Sequence, residues 1–286
     1  MIEFENVSYA YPTTAEDALG PVSFAIPAGQ VCGVVGASGS GKSTLASAVA
    51  GMIPHVSGGR LSGEVRVGGR PVATTPLADL VTEVGLVVQN PFNQMSGAKF
   101  TVREELAFGL ENLGVDRAEM VRRIEQVLED LRIEHLADRS PFALSGGQQQ
   151  LVAIGSVLVM RPRVVVLDEP TSQLDPASAT LVFGALDALR RNGITIVLVE
   201  HRIEQLAELA DRVLVLSHGS LVLDGSPHDV FTDELLPDLG VSSTRYTRAA
   251  RRAAERGLWP ESLPLPVLLP EAVRGFGAGL SVEHTP

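Results

Sequence analysis

The sequence predicts an α/β fold built on a mostly parallel β-sheet, and three observations lead there. Four strongly apolar runs, VCGVVG (31–36), VGLVV (84–88), RVVVLD (163–168) and ITIVLVE (194–200), have the length and composition of strands covered on both faces by helices. Between them lie stretches of helical period with polar residues at their starts. The first run passes straight into a glycine-rich loop followed by the helix-forming LASAVAG, a strand–loop–helix unit.

In chain order, IEFENVSYAY and GEVRVGG (63–69) alternate apolar and polar residues, as half-buried antiparallel strands do. Thr101 and Glu104 have capping-box spacing ahead of Leu106 and Leu110. Asp116 and Glu119 repeat it ahead of a stripe of Val121, Ile124, Val127, Leu128 and Leu131. Asp175-Pro176 opens a helix through Leu181, Leu186 and Leu189 that Asn192-Gly193 stops. These stripes are read as packing faces. VLVL (213–216) and SLVLDG (220–225), joined through Ser217-His218-Gly219, read as a hairpin. The expected organisation is a domain over residues 1–238 with a mostly helical insert near 92–160, then a small extension over 239–286. In that extension TRAARRAAERG (247–257) reads as a basic helix and WPESLPLPVLLP as too proline-rich for a regular element.

Composition narrows the function. At 286 residues, 45% hydrophobic and 20% charged, the chain can bury a sizeable core. A net charge of −11 supplies no electrostatic footprint for nucleic acid, so none is expected as a partner. The longest apolar stretches, such as LVAIGSVLVM (151–160), are about half of the ~20 residues that a membrane span needs, and the acidic start does not resemble a signal peptide. The single cysteine, Cys32, lies inside an apolar run and reads as a buried strand residue.

GASGSGKST (36–44) fits the phosphate-loop pattern G-x-x-x-x-G-K-[ST]. Gly36, Ala37, Ser38, Gly39, Ser40 and Gly41 offer backbone N–H groups to phosphates at a helix N-terminus. Lys42 is expected on the β- and γ-phosphates, Ser43 on Mg²⁺ and Thr44 on a further phosphate. VVVLDEP (164–170) ends a strand with Asp168 and Glu169, which suit a Mg²⁺ partner and a residue that orients and deprotonates a water. These motifs together indicate a nucleoside triphosphatase.

LSGGQ (144–148), ahead of an apolar helix and of Asp168-Glu169, resembles the signature motif of the ABC-transporter ATPases. Other motifs follow that family's order: Tyr11 where an aromatic stacks on adenine, Gln89 as the Q-loop glutamine, SQLD (172–175) as the D-loop with Asp175, and His201 in VEHR as the switch histidine. The resemblance covers about residues 1–230. It implies a P-loop NTPase fold with a RecA-like core, an N-terminal antiparallel β-subdomain and an inserted α-helical subdomain. It also implies ATP and Mg²⁺ as cofactors, with Gln89 close to metal and water. Two ATPase subunits, identical or paralogous, would pair head to tail, so that Ser145, Gly146, Gly147 and Gln148 meet ATP held by the partner's loop. Without a motif of their own, His55, His135, His218, His228 and His284 are read as structural.

Finer features, namely QNPFNQ (89–94), TSQLDP (171–176), EHR (200–202) and the short tail, resemble the energy-coupling-factor group of vitamin and metal-ion importers. That likeness implies a transmembrane coupling protein, a substrate-capture membrane subunit and a peripheral location on the cytoplasmic face of the membrane. Residues 89–110 would form the groove for the coupling helices, and the tail a dimer contact. The other readings are an ATPase of a different ABC importer (metal, amino acid or peptide) and a soluble ABC ATPase. One departure stands out: Leu151 and Gly155 replace the arginine and alanine usual after SGGQQQ, removing a charge expected to help hold the signature helix.

Overall fold

The parallel sheet is the frame on which everything else hangs. The computed structural model describes residues 1–282, with side chains to 278, so His284 lies outside the described residues. The chain opens with β1 (Ile2–Ala10), β2 (Leu19–Ile26) and β3 (Val31–Val35), then helices α1 (Lys42–Val49) and α2 (Met52–His55). Strands β4 (Arg60–Val67) and β5 (Arg70–Pro71), the turn of helix α3 (Leu77–Leu80) and β6 (Val84–Val87) follow. The insert contributes α4 (Val102–Asn112), α5 (Arg117–Leu131) and α6 (Gly146–Leu158). The core resumes with β7 (Val164–Asp168), α7 (Pro176–Arg191), β8 (Thr195–Val199), α8 (Ile203–Leu209), β9 (Arg212–Ser217), β10 (Ser220–Gly225) and α9 (Pro227–Phe231). Helices α10 (Arg245–Ala254) and α11 (Leu269–Val282) lie in the tail.

One sheet is antiparallel, in the order β2-β1-β4-β5, and the other runs β10-β9-β3-β8-β7-β6 with only β10 antiparallel to its neighbour. Buried strands alternate between two cores, which is why their sequences are apolar at every position. Ile196 and Leu198 of β8 join the core beneath the helical insert, whereas Val197 and Val199 join the core shared with α1 and the antiparallel sheet. The β9–β10 hairpin turns on His218 and Gly219, both at positive φ, the geometry that matches strand twist.

The caps differ in outcome. Thr101 and Glu104 form the expected capping box on α4. Asp116 caps α5 by accepting from the Ala118 N–H, but Glu119 does not close a box. Its carboxylate takes Arg122, Arg123 and Arg161 instead, and the Arg122 and Arg123 hydrogen bonds hold it down at about 2. Two residues assigned to packing faces, Val121 and Leu181, prove 51% and 58% exposed. Periodicity placed each on the edge of its stripe, where no neighbouring element reaches it.

The sequence reading passed over β2, whose inward Val22, Phe24 and Ile26 follow an irregular Gly20-Pro21 start. It also passed over α11, which follows a run of prolines and carries three glycines. The tail is docked rather than loose. Arg245 bonds Glu204, the Arg251 guanidinium donates to the Thr232 carbonyl, and Thr247 donates to the Pro266 carbonyl. Trp259 packs edge-on against Phe276 over Ala250 and Ala253.

Leu106, fully buried on α4, packs where Gly155 lets α6 come close. Leu106→Ala should destabilise the chain by about 2–5 kcal/mol, read as a lower urea midpoint, because α4 cannot follow the lost volume.

Candidate nucleotide site

Four strand ends on one edge of the parallel sheet carry the expected residues. After β3 the loop residues Ala37, Ser38 and Gly39 are exposed while Ser40, Lys42 and Thr44 are buried. Gly36 has φ 155°, and a Cβ there would stand 2.2 Å from the Leu216 carbonyl oxygen, so only glycine permits this approach to β9. The loop is steadied from outside: the Gly219 N–H in the hairpin turn donates to the Ser40 carbonyl at 3.0 Å.

Lys42 curls over the loop, its Nζ donating to the carbonyls of Gly36 (2.9 Å) and Ala37 (2.8 Å). Burial pushes its ammonium pKa down, against the pull of Glu169 and Asp168. Ser43 faces solvent beside Asp168. Thr44 is buried, and its hydroxyl pairs with the Tyr11 hydroxyl at 3.2 Å. Tyr11 is half-buried, edge-on to Tyr9 with ring centroids 4.9 Å apart, and so is tied to the phosphate loop.

At the end of β7, Asp168 and Glu169 part company. The Asp168 Oδ1 is buried without a partner, and burial raises its carboxyl pKa, with Ser43 and Lys42 opposing. A desolvated carboxylate oxygen beside an open serine hydroxyl fits Mg²⁺, a hard cation that prefers oxygen ligands. Among the described residues no group of three or more His, Cys, Asp or Glu side chains could hold a metal, so such an ion would lean on Ser43, Asp168 and phosphate oxygens. Glu169 takes a left-handed backbone (φ 50°), a conformation that costs energy away from glycine and concentrates at functional sites. Its carboxylate is held at both oxygens: Gln89 Nε2 donates to Oε2 at 3.0 Å and His201 Nε2 donates to Oε1 at 2.8 Å. Gln89, expected near the metal as well, is thus committed to Glu169 in this conformation.

The signature segment lies apart from these four ends. Ser145 and Gln148 close a capping box on α6, the Ser145 N–H donating to Gln148 Oε1 at 3.1 Å and the Gln148 N–H to Ser145 Oγ at 3.4 Å. Ser145 and Gly146 are exposed, but Gly147 is buried, and a Cβ on it would sit 2.5 Å from Ser178 Cβ. Glycine at 147 therefore answers first to packing on α7. Asp175 caps α7 through the N–H groups of Ala177 and Ser178, and its bond from the Ser178 hydroxyl (2.6 Å) leads in lowering its carboxyl pKa. Leu151 is 4% exposed in the core beneath the insert and lines a cleft of about 450 Å³ with Leu131, Ile133 and Leu136. Apolar packing holds the helix where a charge was expected.

The remaining expectations are quickly placed. Burial pushes the Cys32 thiol up to about 12, so it is inert. His55 and His228 bond the carbonyls of Val72 and Leu265. Sequence reasoning quoted Gln94 within QNPFNQ without a contact for it: it accepts from the Val88 N–H and donates to the Ala153 carbonyl, tying the Gln89 loop to α6. It also gave no role to the buried Glu200, whose side-chain partner Thr171 lies too far along the chain for any local pattern.

The sequence profile of the ABC transporter family matches residues 19–172. The chain belongs to that family. A protein of Pyrococcus horikoshii assigned to the ABC transporter ATP-binding proteins is 44% identical over 260 residues, 90% of this chain and 91% of that one. The energy-coupling factor transporter ATP-binding protein EcfA1 of Lacticaseibacillus paracasei is 37% identical over 260 residues, again 90% and 91% of the two chains. The structure of CbiO1 from Clostridium perfringens, part of the ABC transporter complex CbiONQ, superposes with a TM-score of 0.74 at 28% identity. That match covers 99% of this chain and 98% of the other. Of other relatives, from Methanosarcina and Streptomyces, the chain spans only 41–43% of the length. The ABC family works by ATP hydrolysis, and this chain is an ABC ATPase subunit of a transporter.

If Asp168, whose pKa is raised, holds Mg²⁺, protons compete with the ion there, and acidification should weaken Mg²⁺-dependent ATP binding from a higher pH than an ordinary aspartate near ~3.9 would give. Mg²⁺ titrations of a fluorescent ATP analogue at stepped pH check this. Asp168→Asn should bind Mg²⁺ more weakly and show a flat profile over the same window.

Proposed function

We propose that this chain is the ATP-hydrolysing subunit of an energy-coupling-factor importer, acting as one half of an ATPase pair at the cytoplasmic face of a membrane. One observation carries the reading: the likeness to CbiO1 spans 99% of this chain, so it extends through the C-terminal tail as well as the ATPase core. The identity to EcfA1 supports it. No helix among the described residues is long and apolar enough to cross a membrane, so the spanning parts of such an importer would come from other chains.

Within one chain the phosphate loop binds and orients ATP, and Ser43 with Asp168 holds Mg²⁺. The metal supplies charge neutralisation on the phosphate oxygens. Glu169, clamped by Gln89 and His201, orients the attacking water and accepts its proton. The N-terminus of α6 is exposed and has no acidic residue in its first turn, so its N–H groups and dipole suit the phosphate of a nucleotide carried by a partner subunit. ATP then bridges two subunits, and its hydrolysis releases them. An aromatic surface beside the Gln89 loop, with Phe92 and Phe142 packed edge-on and Phe100 83% exposed, suits the apolar face of a coupling helix. Gln94 links that surface to α6, so a docked helix and the signature segment move together.

Purification of the membrane complex with this chain tests the transport class. A coupling protein and a small substrate-capture protein are expected, and an external binding protein would point to another type of ABC importer. Glu169→Gln should cut turnover by about 10²–10⁴-fold while ATP binding survives and the ATP-bound pair persists on a sizing column. Ser145→Arg should abolish turnover and pairing yet leave ATP affinity for the same chain's loop unchanged. Normal turnover in that variant rejects the role across the interface.

A further inference from the structure

The most enclosed charged side chain near the site is Glu200, 1% exposed at the end of β8. A buried carboxylate is costly unless its oxygens are well partnered, and an apolar residue would continue β8 at less cost. Both oxygens are in fact used. Oε1 accepts from the backbone N–H groups of His201 (2.8 Å) and Arg202 (3.2 Å). Oε2 accepts from the hydroxyl of Thr171 (2.7 Å), itself fully buried two residues beyond Glu169. Arg202 closes the circuit: its Nε donates to Thr171 Oγ1 at 3.1 Å and its Nη2 to the Leu174 carbonyl at 2.7 Å.

The two loops are thus joined at several points: Thr171 donates to Glu200, Arg202 donates to Thr171 and Leu174, and His201 donates to Glu169. His201 is itself 53% exposed in its side chain, so solvent contact does little to fix its ring, whereas the pinned N–H beneath it does. The Leu174 contact carries the same circuit into the 172–175 loop that ends at Asp175.

We propose that Glu200 is a positioning residue for ATP hydrolysis. It sets His201 against Glu169 and, through Thr171 and Arg202, ties that pairing to the conformation of the 172–175 loop. The inference rests on the roles proposed above for Glu169 and His201. Removing the Glu200 side-chain oxygens frees the His201 backbone, which misplaces the ring without touching the phosphate loop.

The test is the ATPase kinetics of the full-length chain, with its membrane partners where these co-purify, for Glu200→Ala, Glu200→Gln, Thr171→Val, His201→Ala, Glu169→Gln and the double variant E200A/H201A. Glu200→Ala should lower kcat by about 10²-fold, the scale of a small misplacement, with KM for ATP little changed. Glu200→Gln keeps an oxygen for the two N–H groups and an amide for Thr171, so kcat should return to within about fivefold of wild type, the size of one neutral hydrogen bond. The double variant should be no slower than His201→Ala alone, since the positioned group is already gone. Losses that multiply in the double variant, or a KM that rises in step with the fall in kcat, overturn the proposal in favour of a purely structural carboxylate. Should Glu200→Ala not fold, Thr171→Val, of nearly equal volume, must show the same loss in kcat at constant KM for the proposal to stand. If His201→Ala and Glu169→Gln keep full turnover, the site reading itself fails, and that outcome is distinct from failure of Glu200 alone.

Discussion

The parallel register of β3, β8, β7 and β6 is the constraint on which the site depends. Val34 pairs with Val199, Val199 with Asp168, and Leu167 with Val87. Those pairings bring the phosphate loop, the Asp168-Glu169 step, the His201 loop and the Gln89 loop to one edge of the sheet, where open α/β sheets bind their ligands. Each strand is also an alternating partition between two cores, with Val166 and Leu167 facing opposite ways. A slip of one residue would invert both faces and move Glu169 off its two donors together. Burial of the strands therefore stabilises the site geometry indirectly: hydrophobic packing fixes register, and register fixes where the polar side chains emerge.

Much of this was legible beforehand because the informative residues are close together in sequence. Phosphate loop, strand and helix occupy one continuous stretch, and the chemistry of each of GKST, LDE and VEHR is local. Features that depend on distant contacts were not legible. The Glu200 carboxylate finds Thr171 twenty-nine residues away, and nothing in VEHR says that its glutamate is buried. Nothing in GKST says that the Thr44 hydroxyl meets that of Tyr11, thirty-three residues away. Stripe edges fail for a related reason: Val121 and Leu181 have the right period, but period cannot say how wide a neighbouring surface is.

The signature segment shows how one short pattern satisfies two physical demands. S-x-x-Q is a capping box, and Ser145 with Gln148 uses it as such. The box orders the first turn of α6 and leaves its N-terminus presented to solvent. Gly147 is spent on contact with α7 at Ser178, which Asp175 holds by two hydrogen bonds. Signature and D-loop are thus packed as a unit within the chain, so a ligand that engages α6 from outside acts on the 172–175 loop through van der Waals contact. That same loop reaches Arg202 at Leu174 and, through it, Glu200.

Leu151 bears on how firmly that unit is held. An arginine at this position would anchor α6 by charge, with a strength that falls as salt screens it. The leucine instead joins Leu131, Ile133 and Leu136 in an apolar wall, and Gly155 one turn later allows close contact with Leu106, Val127 and Leu131. Dispersion and burial are not screened by salt as a charge contact is, and they fall off steeply once surfaces part. The α6 helix is thus gripped on two sides, by α4 and α5 at Gly155 and by α7 at Gly147.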